Sequence, residues 1–250
     1  MKTKNIIFIH GWASGPYVWI HQASYFKDRC AVHTPELIGY GKRRLVKGDA
    51  FGLMVKDIKD FINQRKLEDI CIAGWSMGGM VSLKLAADLK TSVRRLILIS
   101  TSARFVQTDD FKYGVSKAVL QKIHRRMRSD FQGTLQWFYK FCFSAHERSQ
   151  NEFSEALKLL GDFITPLNMD TLLRGLELLM DLDMRHLLED ITAPTLLIHG
   201  RDDRICPPEA AAFLAKRLKK AKVKIVDKTG HAPFLTMPKK VNTLIEDFIS

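Results

Sequence analysis

Short apolar runs recur along the chain at 6–9, 30–33, 70–73, 96–99, 195–199 and 223–226, each bounded by Gly, Pro, Asp or Ser. Runs of this length between turn-forming residues, mostly separated by helix-length segments, predict strands of a doubly wound parallel sheet buried on both faces. Over 77–89 the period changes, with Met77, Met80, Val81, Leu85 and Leu89 falling on one helical face. Pro194 suits the start of a strand, Pro208 the first turn of a helix running to about Leu218, and Pro238 the opening of a last helix ending near Ile249. From Ala103 to Ile191 the alternation stops, and helical patterns follow one another at 115–127, 131–143, 152–160 and 169–180. The expected architecture is therefore α/β, with a mostly parallel sheet. Residues 1–102 and 192–250 form its core, and 103–191 is a helical cap inserted between two strands.

The strand at 70–73 runs directly into Gly74-Trp75-Ser76-Met77-Gly78-Gly79. A serine displayed on a sharp strand-to-helix turn sits in a strained backbone conformation, and its neighbours two positions away must lack side chains. Such a serine needs a general base and a carboxylate to orient that base, supplied in the order Ser, Asp, His from the carboxyl ends of later strands. The fifth run is followed by Gly200-Arg-Asp202-Asp203-Arg-Ile-Cys-Pro207 and the sixth by Gly230-His231-Ala-Pro-Phe234, which makes His231 the expected base. His199 lies inside a strand and His10 in the first loop, and the remaining histidines have no partner constellation. Asp202 and Asp203 compete for the carboxylate position; Asp203, three residues past the strand-end glycine, has the favoured spacing. The expected oxyanion hole takes one backbone N–H from Met77, next after the serine, and one from the His10-Gly11-Trp12 loop, at Trp12.

A length of 250 residues with 46% hydrophobic residues suits one domain with an insertion. The first apolar run is too short for a signal segment and no stretch reaches the length of a membrane span, so a cytoplasmic protein that does not insert into membranes is expected. Four scattered cysteines without a C-x-x-C are expected as free thiols, with no metal site. The net charge of +12 is unevenly placed: 111–129 holds Lys112, Lys117, Lys122, Arg125, Arg126 and Arg128 with no acidic residue. Lys122, Arg125 and Arg126 share one helical face, with Arg128 beside Arg125. A second basic run, 216–224, falls at a predicted helix C-terminus, where the helix dipole favours cations. Aromatic residues are not interleaved along the basic stretch from Lys117 to Arg128 or along 216–224, and neither is set in a nucleic-acid-binding module, so nucleic acid is not an expected partner.

His10-Gly11-Trp12, Gly39-Tyr40-Gly41, the Gly74 to Gly79 turn, Gly200-x-x-Asp203 and Gly230-His231-Ala232-Pro233-Phe234 together resemble the α/β-hydrolase superfamily, from Asn5 to the end. Within it, the stretches 130–138 and 173–185 and the His231 to Phe234 ending resemble the pimeloyl-[acyl-carrier protein] methyl ester esterases of the biotin pathway. The resemblance implies a serine carboxylesterase that cleaves a methyl ester from pimeloyl still tethered to acyl carrier protein, with no metal or organic cofactor. It implies Ser76, Asp203 and His231 as triad, Trp12 and Met77 as oxyanion hole, and Phe138 along the acyl channel. Trp12, Trp75 and Phe141 are the further apolar candidates for that channel. Typical members carry arginines where Gly133 and Trp137 stand here, and a hairpin ahead of the first strand that is missing or reduced in this sequence. The acidic carrier is therefore expected to dock on Lys122, Arg125, Arg126 and Arg128. A monomer is expected. The alternative is a general cytosolic carboxylesterase or lipase-like hydrolase of short-chain free esters.

Overall fold

In the computed structural model, which describes residues 4–41, 43, 48–161 and 168–250, the six apolar runs become β1 (Asn5–Ile9), β2 (Ala31–His33), β3 (Ile70–Trp75), β4 (Val93–Ile99), β5 (Thr195–Gly200) and β6 (Ala221–Val226). They form one sheet in the order β2-β1-β3-β4-β5-β6, and every pair is parallel. Burial explains the unbroken apolar runs: every residue of β3 and β5 is buried, so neither strand has a solvent face to mark with polar residues. The edge strand β6 is instead exposed over three consecutive residues, Lys222 to Lys224. Lys222 and Lys224 are exposed on it, and charge along an unpaired edge discourages another strand from adding there. The second basic run thus divides, Lys216 and Arg217 closing a helix and Lys222 and Lys224 guarding an edge.

The helix-length gaps are filled by α1 (Ile20–Phe26), α2 (Ala50–Gln64) and α3 (Met77–Leu89) in the first half. Phe51, Met54, Val55, Ile58 and Ile62 form the buried stripe of α2, and Asp49 caps it by accepting the Gly52 N–H at 3.0 Å. Because β1 lies between β2 and β3, the chain crosses to one side of β1 and then to the other. The loops leaving β1 and β3 therefore diverge at a crevice, the usual position of a ligand site in an open parallel sheet.

Between β4 and β5 the chain forms α4 (Lys117–Ser129), α5 (Phe131–Phe141), α6 (Phe153–Gly161) and α7 (Met169–Asp181). Their ends follow local chemistry. Ser116 caps α4 through the Ala118 N–H, Asp130 both follows α4 and caps α5 through the Gly133 N–H, and Asn168 caps α7 through the N–H groups of Asp170 and Thr171. The departure and return of this segment are pinned together. Met184 N–H donates to the Ala103 carbonyl at 2.7 Å, Arg104 and Asp183 form an antiparallel bridge, and the Asp183 carboxylate receives both Arg104 and Arg185 at 2.7 Å. Those two cations hold the Asp183 carboxyl down at about 2, against the desolvation that partial burial imposes. Residues 162–167 of the expected insertion lie outside the described residues, as do 1–3, 42 and 44–47 of the expected core. The chain finishes with α8 (Glu209–Arg217), α9 (Pro233–Thr236) and α10 (Pro238–Ile249). Among the described residues no helix is long and apolar enough to cross a membrane, and all four cysteines are free.

The glycines after β3 are set by contact. A Cβ on Gly78 would fall inside the van der Waals radii of the Ile9 and His10 carbonyl oxygens, and one on Gly79 would lie 2.6 Å from the Thr101 side chain. The Ile9 carbonyl belongs to β1, which is paired with β3, so α3 sits this close to the sheet because Gly78 and Gly79 lack side chains. Gly78→Ala is expected to cost about 3 kcal/mol or more in overpacking, read as a lowered denaturation midpoint. A midpoint equal to wild type would show that the β1 carbonyls yield.

Candidate active site

Ser76 occupies the single residue between β3 and α3 with φ +54° and ψ −121°, a backbone conformation that side-chain-bearing residues rarely adopt. Three hydrogen bonds hold it there. The Ser76 N–H donates to the Ile99 carbonyl at 3.0 Å, and the Ser76 carbonyl accepts from the Gly79 N–H at 2.9 Å and the Thr101 hydroxyl at 2.6 Å. The strain thus serves to lift Oγ away from the sheet while both flanking peptides stay paired. Thr101 is a contributor that no motif spacing announces, because it comes from the loop that follows β4.

His231 Nε2 lies 2.9 Å from Ser76 Oγ, and His231 Nδ1 lies 2.8 Å from Asp203 Oδ2. All three residues are buried. Asp203 is fixed from its other side, where Oδ1 accepts the N–H groups of Ile205 and Cys206, each at 2.9 Å. Asp202, the rival carboxylate, is exposed, and its N–H instead donates to the Thr229 carbonyl at 2.9 Å. That bond helps lash the loop after β5 to the loop after β6. The two loops meet so closely at Gly200 that a Cβ there would overlap the carbonyls of Thr229 and Gly230.

The other buried histidines are arranged differently. Burial pushes His10 down to about 4, and its Nε2 accepts the Leu37 N–H at 3.1 Å while Nδ1 lies 2.9 Å from the Gly11 carbonyl. His199 is likewise lowered to about 4 by burial, with Nε2 at 3.5 Å from Cys206 Sγ. Both are neutral near pH 7, and neither hydrogen-bonds Ser76.

Met77 opens α3, so its N–H belongs to the first turn, which has no carbonyl one turn back to bond. Opposite it, the backbone at Gly11 passes so near Ser76 that a Cβ on Gly11 would lie 3.2 Å from the serine Cβ. Trp12 is the next residue along that loop. Its indole N–H donates to the Leu172 carbonyl at 2.9 Å, and its ring meets Phe138 edge to face at 4.8 Å.

The four aromatic residues expected along an acyl channel thus separate into groups. Trp12 and Phe138 touch. Trp75 is 1% exposed and turns the other way, its indole N–H donating to the His231 carbonyl at 2.8 Å and its ring packing on Phe234 at 5.2 Å. Phe141 stacks on the exposed Trp137 at 5.1 Å and carries the Arg204 guanidinium over its outer face at 4.4 Å. Lys122, Arg125, Arg126 and Arg128 are all exposed on α4, with Arg126 also 4.0 Å from Asp130 and over the Trp137 ring at 5.8 Å.

Chemically, the arrangement offers a hydroxyl in line with an imidazole and a carboxylate, two candidate backbone donors beside the hydroxyl, and an aromatic pair against that same loop. That equipment suits acyl transfer through a covalent ester.

Comparison with known proteins gives the same reading. A family model described as the alpha/beta hydrolase fold matches residues 4–238. A pimeloyl-[acyl-carrier protein] methyl ester esterase of Aromatoleum aromaticum is 33% identical over 254 residues, covering 100% of this chain and 99% of the relative. A protein of the same name from Nitrosomonas europaea is 31% identical and covers 94% of this chain and 92% of the relative. An esterase from Exiguobacterium antarcticum superposes with a TM-score of 0.91 over 100% of this chain and 93% of its own at 23% identity, a likeness of fold. With a family match over residues 4–238 and a 33% identical relative covering the whole chain, the chain belongs to the α/β-hydrolase family and, within it, to the pimeloyl-[acyl-carrier protein] methyl ester esterases.

Proposed function

We propose that this chain is a serine carboxylesterase that hydrolyses the methyl ester of a pimeloyl group carried on acyl carrier protein, releasing methanol. The observation that carries the reading is the hydrogen-bonded line from Ser76 Oγ through His231 to Asp203, set on a strained strand-to-helix turn. Ser76 Oγ attacks the ester carbonyl carbon as His231 Nε2 takes the hydroxyl proton. The oxygen of the tetrahedral adduct is received by the N–H groups of Met77 and Trp12, an interaction worth about 3 to 4 kcal/mol per donor in comparable sites. The carbon–oxygen bond to the methoxy group breaks, and His231 returns its proton to that oxygen, giving methanol and an acyl-serine. Water then gives a proton to His231 and attacks the acyl carbon, which frees the carboxylate and restores the serine. Asp203 holds the imidazole with Nδ1–H towards itself and balances the charge of the imidazolium. The Trp12–Phe138 pair supplies apolar surface for the acyl methylenes, each contributing about 0.8 kcal/mol when buried. The helices α4 to α7 act as the cap.

Docking falls to the exposed face of α4. Lys122→Glu/Arg125→Glu is expected to raise KM for the carrier-bound ester about tenfold at low ionic strength, with no change on a short free ester. Equal effects on both substrates would move the carrier elsewhere. The deciding experiment for the function is mass spectrometry of methyl-pimeloyl-carrier protein incubated with the wild type and with Ser76→Ala, beside a short free methyl ester at equal concentration. Loss of a methyl group only with the intact serine, much faster on the carrier-bound ester, is expected. Equal rates on both esters would make the chain a general carboxylesterase.

A further inference from the structure

A buried carboxylate outside the triad ties the loop that carries His231 to the helical segment between β4 and β5. Ser144-Ala145-His146-Glu147 has the Ser-x-x-Glu spacing of a capping box and closes as one. The Glu147 N–H donates to Ser144 Oγ at 3.1 Å and the Ser144 N–H to Glu147 Oε2 at 2.6 Å. Both side chains then reach past their own turn. Glu147 Oε2 also accepts the Gly230 N–H at 2.7 Å, Oε1 accepts the Thr236 hydroxyl at 2.5 Å, and the Ser144 hydroxyl donates to the Lys228 carbonyl at 2.7 Å. The His231 N–H donates to the Cys142 carbonyl at 2.7 Å. Glu147 is 3% exposed, and three donors on its two oxygens are what make so deep a burial of a carboxylate tolerable. The fit leaves no slack at Gly230, where a Cβ would lie 2.9 Å from the Ser144 nitrogen. A cavity of about 150 Å³ opens beside the carboxylate, bounded by His146, Lys228, Thr229 and Met237.

We propose that Glu147 is a positioning residue for the esterase reaction: by holding the Gly230 peptide and Thr236 on either side of His231, it sets the imidazole at hydrogen-bonding distance from Ser76. The inference rests on the reading of His231 as general base. It matters because a catalytic group displaced by about 1 Å costs on the order of a hundredfold in rate. Among the described residues all four cysteines are free, so no disulfide there holds the 228–236 loop; the buried carboxylate takes that part.

The test compares Glu147→Ala and Glu147→Gln with the wild type on a short p-nitrophenyl ester, with rates divided by active sites titrated to completion with a fluorophosphonate; Ser76→Ala, which has no oxygen to titrate, is compared per mole of protein. Glu147→Ala is expected to lower kcat per titrated site about 50- to 100-fold with KM within about twofold, the split that misplacement of a base produces. Glu147→Gln is expected to stay within about fivefold of wild type, since its amide oxygen can accept both N–H groups and its NH₂ can donate to the Thr236 hydroxyl. Formate, admitted through the adjoining cavity, is expected to restore part of the lost rate to Glu147→Ala and to leave the wild type unchanged. Wild-type kcat per titrated site in Glu147→Ala, whatever its melting temperature, would overturn the proposal, as would Glu147→Gln as slow as Glu147→Ala. If Glu147→Ala does not fold, Glu147→Asp takes its place: one methylene shorter, it keeps the bond within its own turn and loses Gly230, and a wild-type kcat there overturns the proposal. Turnover that survives in Ser76→Ala would remove the esterase reading itself, whereas an inactive Ser76→Ala beside an unimpaired Glu147→Ala removes only the role of Glu147.

Discussion

Ser76→Ala and His231→Ala, made singly, are each expected to lower kcat by roughly a millionfold, and the double variant to be no slower than either. The two side chains act as one unit. Without His231 the hydroxyl loses the acceptor for its proton as it attacks, and without Ser76 the imidazole loses the hydroxyl that lies 2.9 Å from its Nε2. What remains after either change is the polarising effect of the oxyanion donors proposed at Met77 and Trp12, which neither substitution touches. Burst kinetics with a chromogenic ester check this directly: the wild type should release one equivalent of alcohol per active site before settling to its steady rate, and both variants should show no burst. A double variant far slower than the singles would mean that the serine and the histidine contribute independently, and the shared proton transfer would be wrong.

Asp203→Asn is expected to lower kcat about ten-thousandfold, whereas Asp202→Asn stays near wild type. Local geometry dictates which way the new amide faces. Asp203 Oδ1 accepts the N–H groups of Ile205 and Cys206, so an asparagine must keep its carbonyl oxygen there. Its NH₂ is then left against His231 Nδ1, where the aspartate oxygen now sits. An NH₂ can only donate, so Nδ1 must accept and the imidazole proton moves to Nε2, which can no longer take the proton of Ser76. Asp202 is exposed and bonds the neighbouring loop through its backbone, so its side chain is free to change. Paired measurements of kcat on the two variants test the assignment; a large loss at Asp202 and a small one at Asp203 would reverse it.

The strands and the serine turn were legible because they follow from short-range rules. A strand buried on both faces has to be apolar throughout, and β3 and β5 are. Gly78 and Gly79 mark a helix pressed onto a sheet, a requirement of contact that sequence spacing records faithfully. Helix ends moved by a residue or two where a polar side chain took the cap, as Ser116 does by starting α4 at Lys117 rather than at Val115. Directions of side chains were not legible. Trp75 adjoins the serine in sequence, yet its indole turns to the His231 carbonyl, and Phe141, one turn from Phe138, faces Arg204 instead of Trp12. The Ser144 to Glu147 spacing announces a capped turn, but that its carboxylate also reaches Gly230, far along the chain, is a property of the folded state alone.

The pinned base of the segment between β4 and β5 bears on how such a chain can diversify. Ala103 and Met184 meet through a hydrogen bond, Arg104 and Asp183 through a bridge and an ion pair, so the two ends of the excursion are joined before any of its helices is reached. To the sheet, everything beyond that junction is a closed loop, and doubling the length of a flexible loop costs only about 0.6 kcal/mol. Helices there can be lengthened, shortened or exchanged in descendants while the strands on either side keep their register. The limit on such exchange is local. A replacement must still offer a carbonyl to Trp12 where Leu172 now does, and a ring where Phe138 now stands.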